Sequence, residues 1–306
     1  MARRCGSSRA TEETWTGWPT ATHRPRWSYS GAGSPFLREP ARVTEPVAPT
    51  LDVDGLVVRF GGVVALDGVT LRIEPGEVVG IIGPNGAGKT TLFNAICGFV
   101  RPDSGRINYR GEPLLGTAPH RLARLGIART LQGLGLWPGL TVQENVVASS
   151  RVRPGLFSSL LALPSADRIE AELASKAHDI LDRLGIGSYA SAFPATLPYG
   201  VQKRVIIARA LMAVPSLLLL DEPASGLSAR DIDELAELIK QLRTRMSVAV
   251  VEHHLDFVMA ISDRVTVLNL GRVIASGTPK EIQDNPQVAT AYLGENVATP
   301  EASSDA

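Results

Sequence analysis

Apolar residues recur along this chain with two different periods. Residues 77–83 and 217–220 are apolar with almost no interruption, which predicts strands buried on both faces. Residues 56–60, 69–73 and 247–252 also read as strands. Between these runs the period lengthens to that of a helix. Residues 88–98 form one such segment. Residues 167–184 form another, with Ile169, Leu173, Ile180, Leu181 and Leu184 on one stripe and Gly185 just past the end. Ser228 stands as an N-cap before Ile232, Leu235, Leu238, Ile239 and Leu242. Thr278-Pro279-Lys280-Glu281 spells an N-cap, a proline at the first helical position and a glutamate reaching back to the cap. Strands alternating with helices predict an α/β fold, a mainly parallel sheet covered by helices. No internal repeat is visible.

Composition narrows the picture. The 306 residues carry 31 Lys+Arg against 31 Asp+Glu, so bulk charge gives no hold on nucleic acid, and no nucleic-acid partner is expected. With 44% hydrophobic and 20% charged residues the chain reads as globular. Two cysteines, Cys5 and Cys97, make neither a disulfide framework nor a zinc site and fit a reducing cytosol. The uncharged stretch 184–202 is broken by Gly185, Pro194 and Pro198, too broken to span a bilayer. Arg3 and Arg4 are not followed by an apolar run, so no signal peptide is expected. Residues 1–49 hold Trp15, Trp18 and Trp27 without any apolar period. Seven Arg against four Glu give them a charge of +3. They are expected to be a disordered extension.

The chemistry concentrates at two places. Gly83-Pro84-Asn85-Gly86-Ala87-Gly88-Lys89-Thr90 fits G-x-x-x-x-G-K-[ST], with an apolar strand before it and a helix after it. Glycines let consecutive backbone N–H groups face phosphate oxygens, and the helix start adds positive potential. In this reading Lys89 reaches the β- and γ-phosphates and the Thr90 hydroxyl ligates Mg²⁺. Farther on, the strand of Leu217 to Leu220 delivers Asp221 and Glu222 at its C-terminal end, where ligands bind in such sheets. Asp221 is the candidate metal ligand and Glu222 the candidate general base for an attacking water.

These motifs resemble the ATP-binding subunits of ABC transporters over roughly residues 51–295. The resemblance implies a P-loop NTPase with a RecA-like core sheet, an antiparallel β subdomain and an inserted helical subdomain near 133–202. The whole domain would run from 50 to 296, with 297–306 as a disordered tail. It implies ATP and Mg²⁺ as ligands. By the same resemblance Phe60, before Gly61-Gly62, stacks on adenine, and Thr91 completes the nucleotide contacts. Gln132 senses Mg²⁺ and the attacking water, and His253 touches the γ-phosphate. The neighbouring His254 is expected at the surface. Leu197, Tyr199 and Gly200 belong to the signature segment that meets a partner's nucleotide.

The signature departs from the family's usual L-S-G-G-Q. Here it reads Leu197-Pro198-Tyr199-Gly200-Val201, so a hydroxyl is replaced by Pro198, while Gly200 and the following helix start remain as backbone donors. Ser228 also stands where the family often has Asp. These departures, with Gly126 to Gln132 and Ala291-Tyr292-Leu293-Gly294-Glu295, resemble the branched-chain amino acid importer group. That implies a second ATPase subunit, identical or different, two membrane permeases contacted near residues 132–145, and a solute-binding protein. The location implied is the cytoplasmic face of the membrane. Residues 151–166 are expected to form a local packing loop. A lipid exporter ATPase and a soluble ABC ATPase are the rival readings.

Overall fold

The computed structural model describes residues 48–130, 133, 135–150 and 164–293. The expectations placed on residues 1–47, on Gln132, on 151–163 and on the tail beyond 293 lie outside the described residues.

Two sheets form the frame. The first is antiparallel, in the order β2-β1-β4-β5, from β1 (Leu51–Phe60), β2 (Val63–Ile73), β4 (Ser104–Tyr109) and β5 (Glu112–Pro113). β1 and β2 join through Gly61-Gly62, and Gly61 takes a positive φ of 56°, a conformation glycine adopts without cost. Along β1, buried Leu51 and Val53 alternate with Asp52 and Asp54, whose carboxylates pair with Arg72 and Arg106 on the flanking strands.

The second sheet runs in the order β10-β9-β3-β8-β7-β6. Its strands are β3 (Val78–Ile82), β6 (Ile127–Arg129), β7 (Leu217–Asp221), β8 (Ser247–Val251), β9 (Arg264–Asn269) and β10 (Arg272–Gly277). All pairs are parallel except β9 with β10. Alternate residues serve opposite cores. Val79, Ile81, Leu217, Leu219, Ala249 and Val251 pack toward the antiparallel sheet and the helix Lys89–Ile96. Val78, Ile82, Leu218, Leu220, Val248 and Val250 pack on the other side, against helices. Both faces are covered, which is why these strands read as unbroken apolar runs.

The described helices between β6 and β7 are Val142–Val147, Pro164–Arg183 and Tyr199–Met212, and they share the second core. The stripe Leu173, Ile180, Leu181 and Leu184 is buried as its period requires. Its helix starts at Pro164, earlier than the expected residue 167, because proline at the first turn forfeits only an N–H that has no helical partner there. Residues 164–166 are therefore helix, not loop. Ser228 caps Ala229–Leu242, accepting the N–H of Asp231 at 3.3 Å. Thr278 with Glu281 forms the expected capping box, and Thr141 with Glu144 forms a second one. Asn145 is fully buried and binds the chain before its helix, accepting from Trp137 N and donating to the carbonyls of Trp137, Leu140 and Thr141.

Candidate functional site

Three neighbouring strands, β3, β8 and β7, end side by side, and each C-terminal end releases a candidate residue group.

β3 runs into Gly83. A Cβ at Gly83 would collide with the Leu268 carbonyl, and one at Gly88 would lie 2.6 Å from Ala65 O. Gly86 and Gly88 have φ of 76° and 104°, in the left-handed region. The loop therefore needs glycine at these places for its curvature and its close packing. Gly88 is the N-cap of Lys89–Ile96, and no side chain caps this helix. Its first turn thus presents amide groups and the positive end of the helix dipole to an anion. Pro84 and Ala87 are buried, Asn85, Gly86 and Thr90 are exposed, and Thr91 is half-buried. Lys89 is buried and folds its ammonium onto the loop, donating to Gly83 O at 2.5 Å and Pro84 O at 2.9 Å. Its positive charge thus sits inside the cradle.

β7 ends in Asp221. Arg129 donates to Asp221 Oδ2 at 2.7 Å and to Asn94 Oδ1 at 2.7 Å, and its guanidinium lies 5.5 Å from the Phe93 ring centroid. Asp221 N donates to Thr130 Oγ1 at 3.2 Å. Asp221 Oδ1 is buried without a hydrogen-bond partner. An orphaned buried carboxylate oxygen at a strand end fits a divalent cation, and carboxylate and hydroxyl oxygens such as those of Asp221 and Thr90 are the hard donors that Mg²⁺ prefers. Glu222 follows with φ 48°, an uncommon conformation for a residue with a side chain. Its main chain is held at both ends. Its N–H donates to Val251 O at 2.9 Å, and its carbonyl accepts from Lys203 Nζ at 3.2 Å.

β8 ends in Val251, and Glu252 and His253 follow. His253 is exposed, with Nδ1 3.5 Å from Glu252 Oε2. His254, expected at the surface, is instead half-buried. It is the N-cap of the helix Leu255–Ile261, and the folding of that helix onto β3 draws it in. Val258 on that helix lies against Gly80, where a Cβ would collide with it. Glu252 has no exposed surface, and motif reasoning passed over it. Arg129 and Lys203 are also absent from the residues expected to do chemistry. The one signal for all three is a charged residue inside or beside an apolar run.

Phe60 is 52% exposed at the end of β1, so it is not a core residue. The signature residues lie on the helix Tyr199–Met212 and just before it. Pro198 is that helix's N-cap and offers it no side-chain bond. Leu197 is buried in the helical core, while Tyr199 is exposed, with Lys203 Nζ 5.6 Å from its ring centroid. Gly200 is buried against the Asp231 carboxylate, where a Cβ would lie 2.6 Å from Oδ1 unless that side chain moved aside. Gln132 lies outside the described residues.

Elsewhere, burial pushes the Cys97 thiol up, against the opposing pull of Arg129. Burial also lowers the Arg209 guanidinium, which lies 4.3 Å from the Trp137 ring centroid.

Residues 66–225 match the family described as ABC transporter, and residues 272–298 match the family described as branched-chain amino acid ATP-binding cassette transporter. The chain is 43% identical over 251 residues to the high-affinity branched-chain amino acid transport ATP-binding protein LivG of Escherichia coli K12, covering 81% of this chain and 98% of that one. It is 42% identical to BraF of Pseudomonas aeruginosa, with the same coverage. Among solved structures, a nucleotide-free ATP-binding cassette from an ABC transporter superposes with a TM-score of 0.70 at 31% identity, covering 80% of this chain and 98% of that one.

Proposed function

Since this chain belongs to the ATP-binding subunits of ABC transporters, we propose that it hydrolyses Mg-ATP to drive import of branched-chain or related amino acids. The observation that carries the catalytic part is the convergence of Lys89, Asp221, Glu222 and His253 at the adjacent ends of β3, β7 and β8. The importer assignment rests on the match at residues 272–298 and on the likeness to LivG and BraF.

Each residue then has a chemical task. The loop from Gly83 to Thr91 wraps the phosphates, and Lys89 exchanges its bonds to Gly83 O and Pro84 O for bonds to phosphate oxygens. Thr90, Asp221, whose Oδ1 has no hydrogen-bond partner, and Gln132 would hold Mg²⁺, which would neutralise charge on the transferred phosphoryl group. Glu222 takes a proton from the attacking water. His253 donates toward the γ-phosphate, and Phe60 stacks on the base. Leu197, Tyr199 and Gly200 face the nucleotide of a second ATPase subunit.

The catalytic domain spans 50–296, with 133–202 as its inserted helical part. Among the described residues no helix is long and apolar enough to cross a membrane. By likeness to LivG and BraF, two permease subunits supply the membrane path and hold this subunit at the cytoplasmic face, and a solute-binding protein delivers the amino acid to them. Reconstitution of the chain with its partner ATPase subunit, its permeases and its binding protein in liposomes tests this reading. ATP-dependent accumulation of labelled leucine is expected. ATP hydrolysis that no amino acid stimulates, with no uptake, would refute it.

A further inference from the structure

Glu252 is a fully buried carboxylate whose described hydrogen bonds all come from backbone amides. Oε1 accepts from Ala224 N at 2.6 Å. Oε2 accepts from His253 N at 3.0 Å and from His254 N at 3.4 Å. Burial of a charged group is expensive, and this one is offset by amide dipoles, with only the His253 imidazole within ion-pair distance.

What those amides belong to matters more than their number. Ala224 lies two residues after Glu222, in the turn that leaves β7. His253 opens the loop that leaves β8. The Glu222 N–H is itself bound to Val251 O, the residue before Glu252. A single strand end thus holds both loops. The Val251 carbonyl fixes the near side of the Glu222 turn, and the Glu252 side chain fixes its far side and the start of the His253 loop. Between the two clamps Glu222 keeps its left-handed φ of 48°, a conformation that persists only where surroundings over-determine it.

We propose that Glu252 is a positioning residue for ATP hydrolysis, a buried anion that ties the Glu222 turn to the His253 loop. This rests on the roles of Glu222 and His253 proposed above. The geometry also says why a carboxylate is required. Both oxygens face N–H donors, so an amide in its place would turn its NH₂ toward one of them. Glu252→Gln keeps the volume and breaks one clamp. Glu252→Asp keeps the charge and is one methylene too short to reach both loops at once.

The test measures steady-state hydrolysis by the full chain together with its affinity for Mg-ADP, titrated separately. Glu252→Gln is expected to lower kcat by about 10- to 100-fold, since a misplacement of about 1 Å can cost up to about 100-fold. Affinity for Mg-ADP should stay within about twofold, because the Gly83–Thr91 loop is untouched. Glu252→Asp should not restore kcat. Unchanged kcat in Glu252→Gln would overturn the proposal. So would equal losses of nucleotide affinity and kcat, which mark a strut for the fold. If Glu252→Gln does not fold, Glu252→Asp is judged by the same split. Failure of both to fold also overturns it. The parent reading is separable: Glu222→Gln tests it with Glu252 in place.

Discussion

Arg129 and Asp221 form a buried ion pair at 2.7 Å that uses one carboxylate oxygen and leaves the other free of hydrogen bonds. The pair stands at the ends of adjacent strands β6 and β7, so Arg129 aims the candidate metal ligand while leaving Oδ1 open. Arg129→Ala would strand Asp221 as a buried, unpaired charge. The expected loss of folding free energy is about 3–5 kcal/mol, read from urea denaturation. Arg129→Lys should recover only part, because an ammonium cannot reach both Asp221 and Asn94 in the planar fork that the guanidinium provides. Wild-type stability in Arg129→Ala would contradict the pairing.

Lys89 supplies the only described ammonium bonded to the phosphate loop's own carbonyls. Lys89→Ala should weaken ATP binding by about 10- to 100-fold, the worth of one charge-assisted hydrogen bond. The fold should persist, since the bonds lost are ones that nucleotide would displace. Equal affinities of Lys89→Ala and wild type in a calorimetric titration would remove Lys89 from the site.

Glu281 gives a pH dependence with a definite sign. The backbone N–H of Thr278, then its hydroxyl, hold the Glu281 carboxyl below its ordinary range. Its folded value is therefore lower than its unfolded one. The stabilisation is complete above the unfolded value and disappears as pH falls through the folded value. The Tm advantage of wild type over Glu281→Gln should be present at neutral pH and shrink in acid. An advantage that grew in acid would contradict the capping box.

The strands that carry the chemistry were legible because their burial is two-sided: Leu217 to Leu220 and Val248 to Val251 leave no polar position to confuse the period. The loop of residues 83–90 was legible because its glycines, which chain curvature and close packing require, also spell a phosphate-binding pattern. Other features were hidden for physical reasons. β1 begins at Leu51, ahead of the apolar run at 56–60, because Asp52 and Asp54 look like loop residues until Arg72 and Arg106 are seen opposite them. β6 is three residues long and shows no period. β9 carries Thr266 amid its apolar residues, and that hydroxyl is satisfied by Ser276 across the ladder. Glu252 was invisible as a functional candidate because its partners are backbone amides, which every sequence possesses and no motif records.

Glu222 is proposed to direct water onto ATP held by the Lys89 loop. Steady-state hydrolysis by Glu222→Gln, with nucleotide affinity measured on the same preparation, tests it most directly. Intact ATP binding and a turnover lower by about 100-fold or more, the contribution of a general base, are expected. Binding and hydrolysis both near wild type would contradict it.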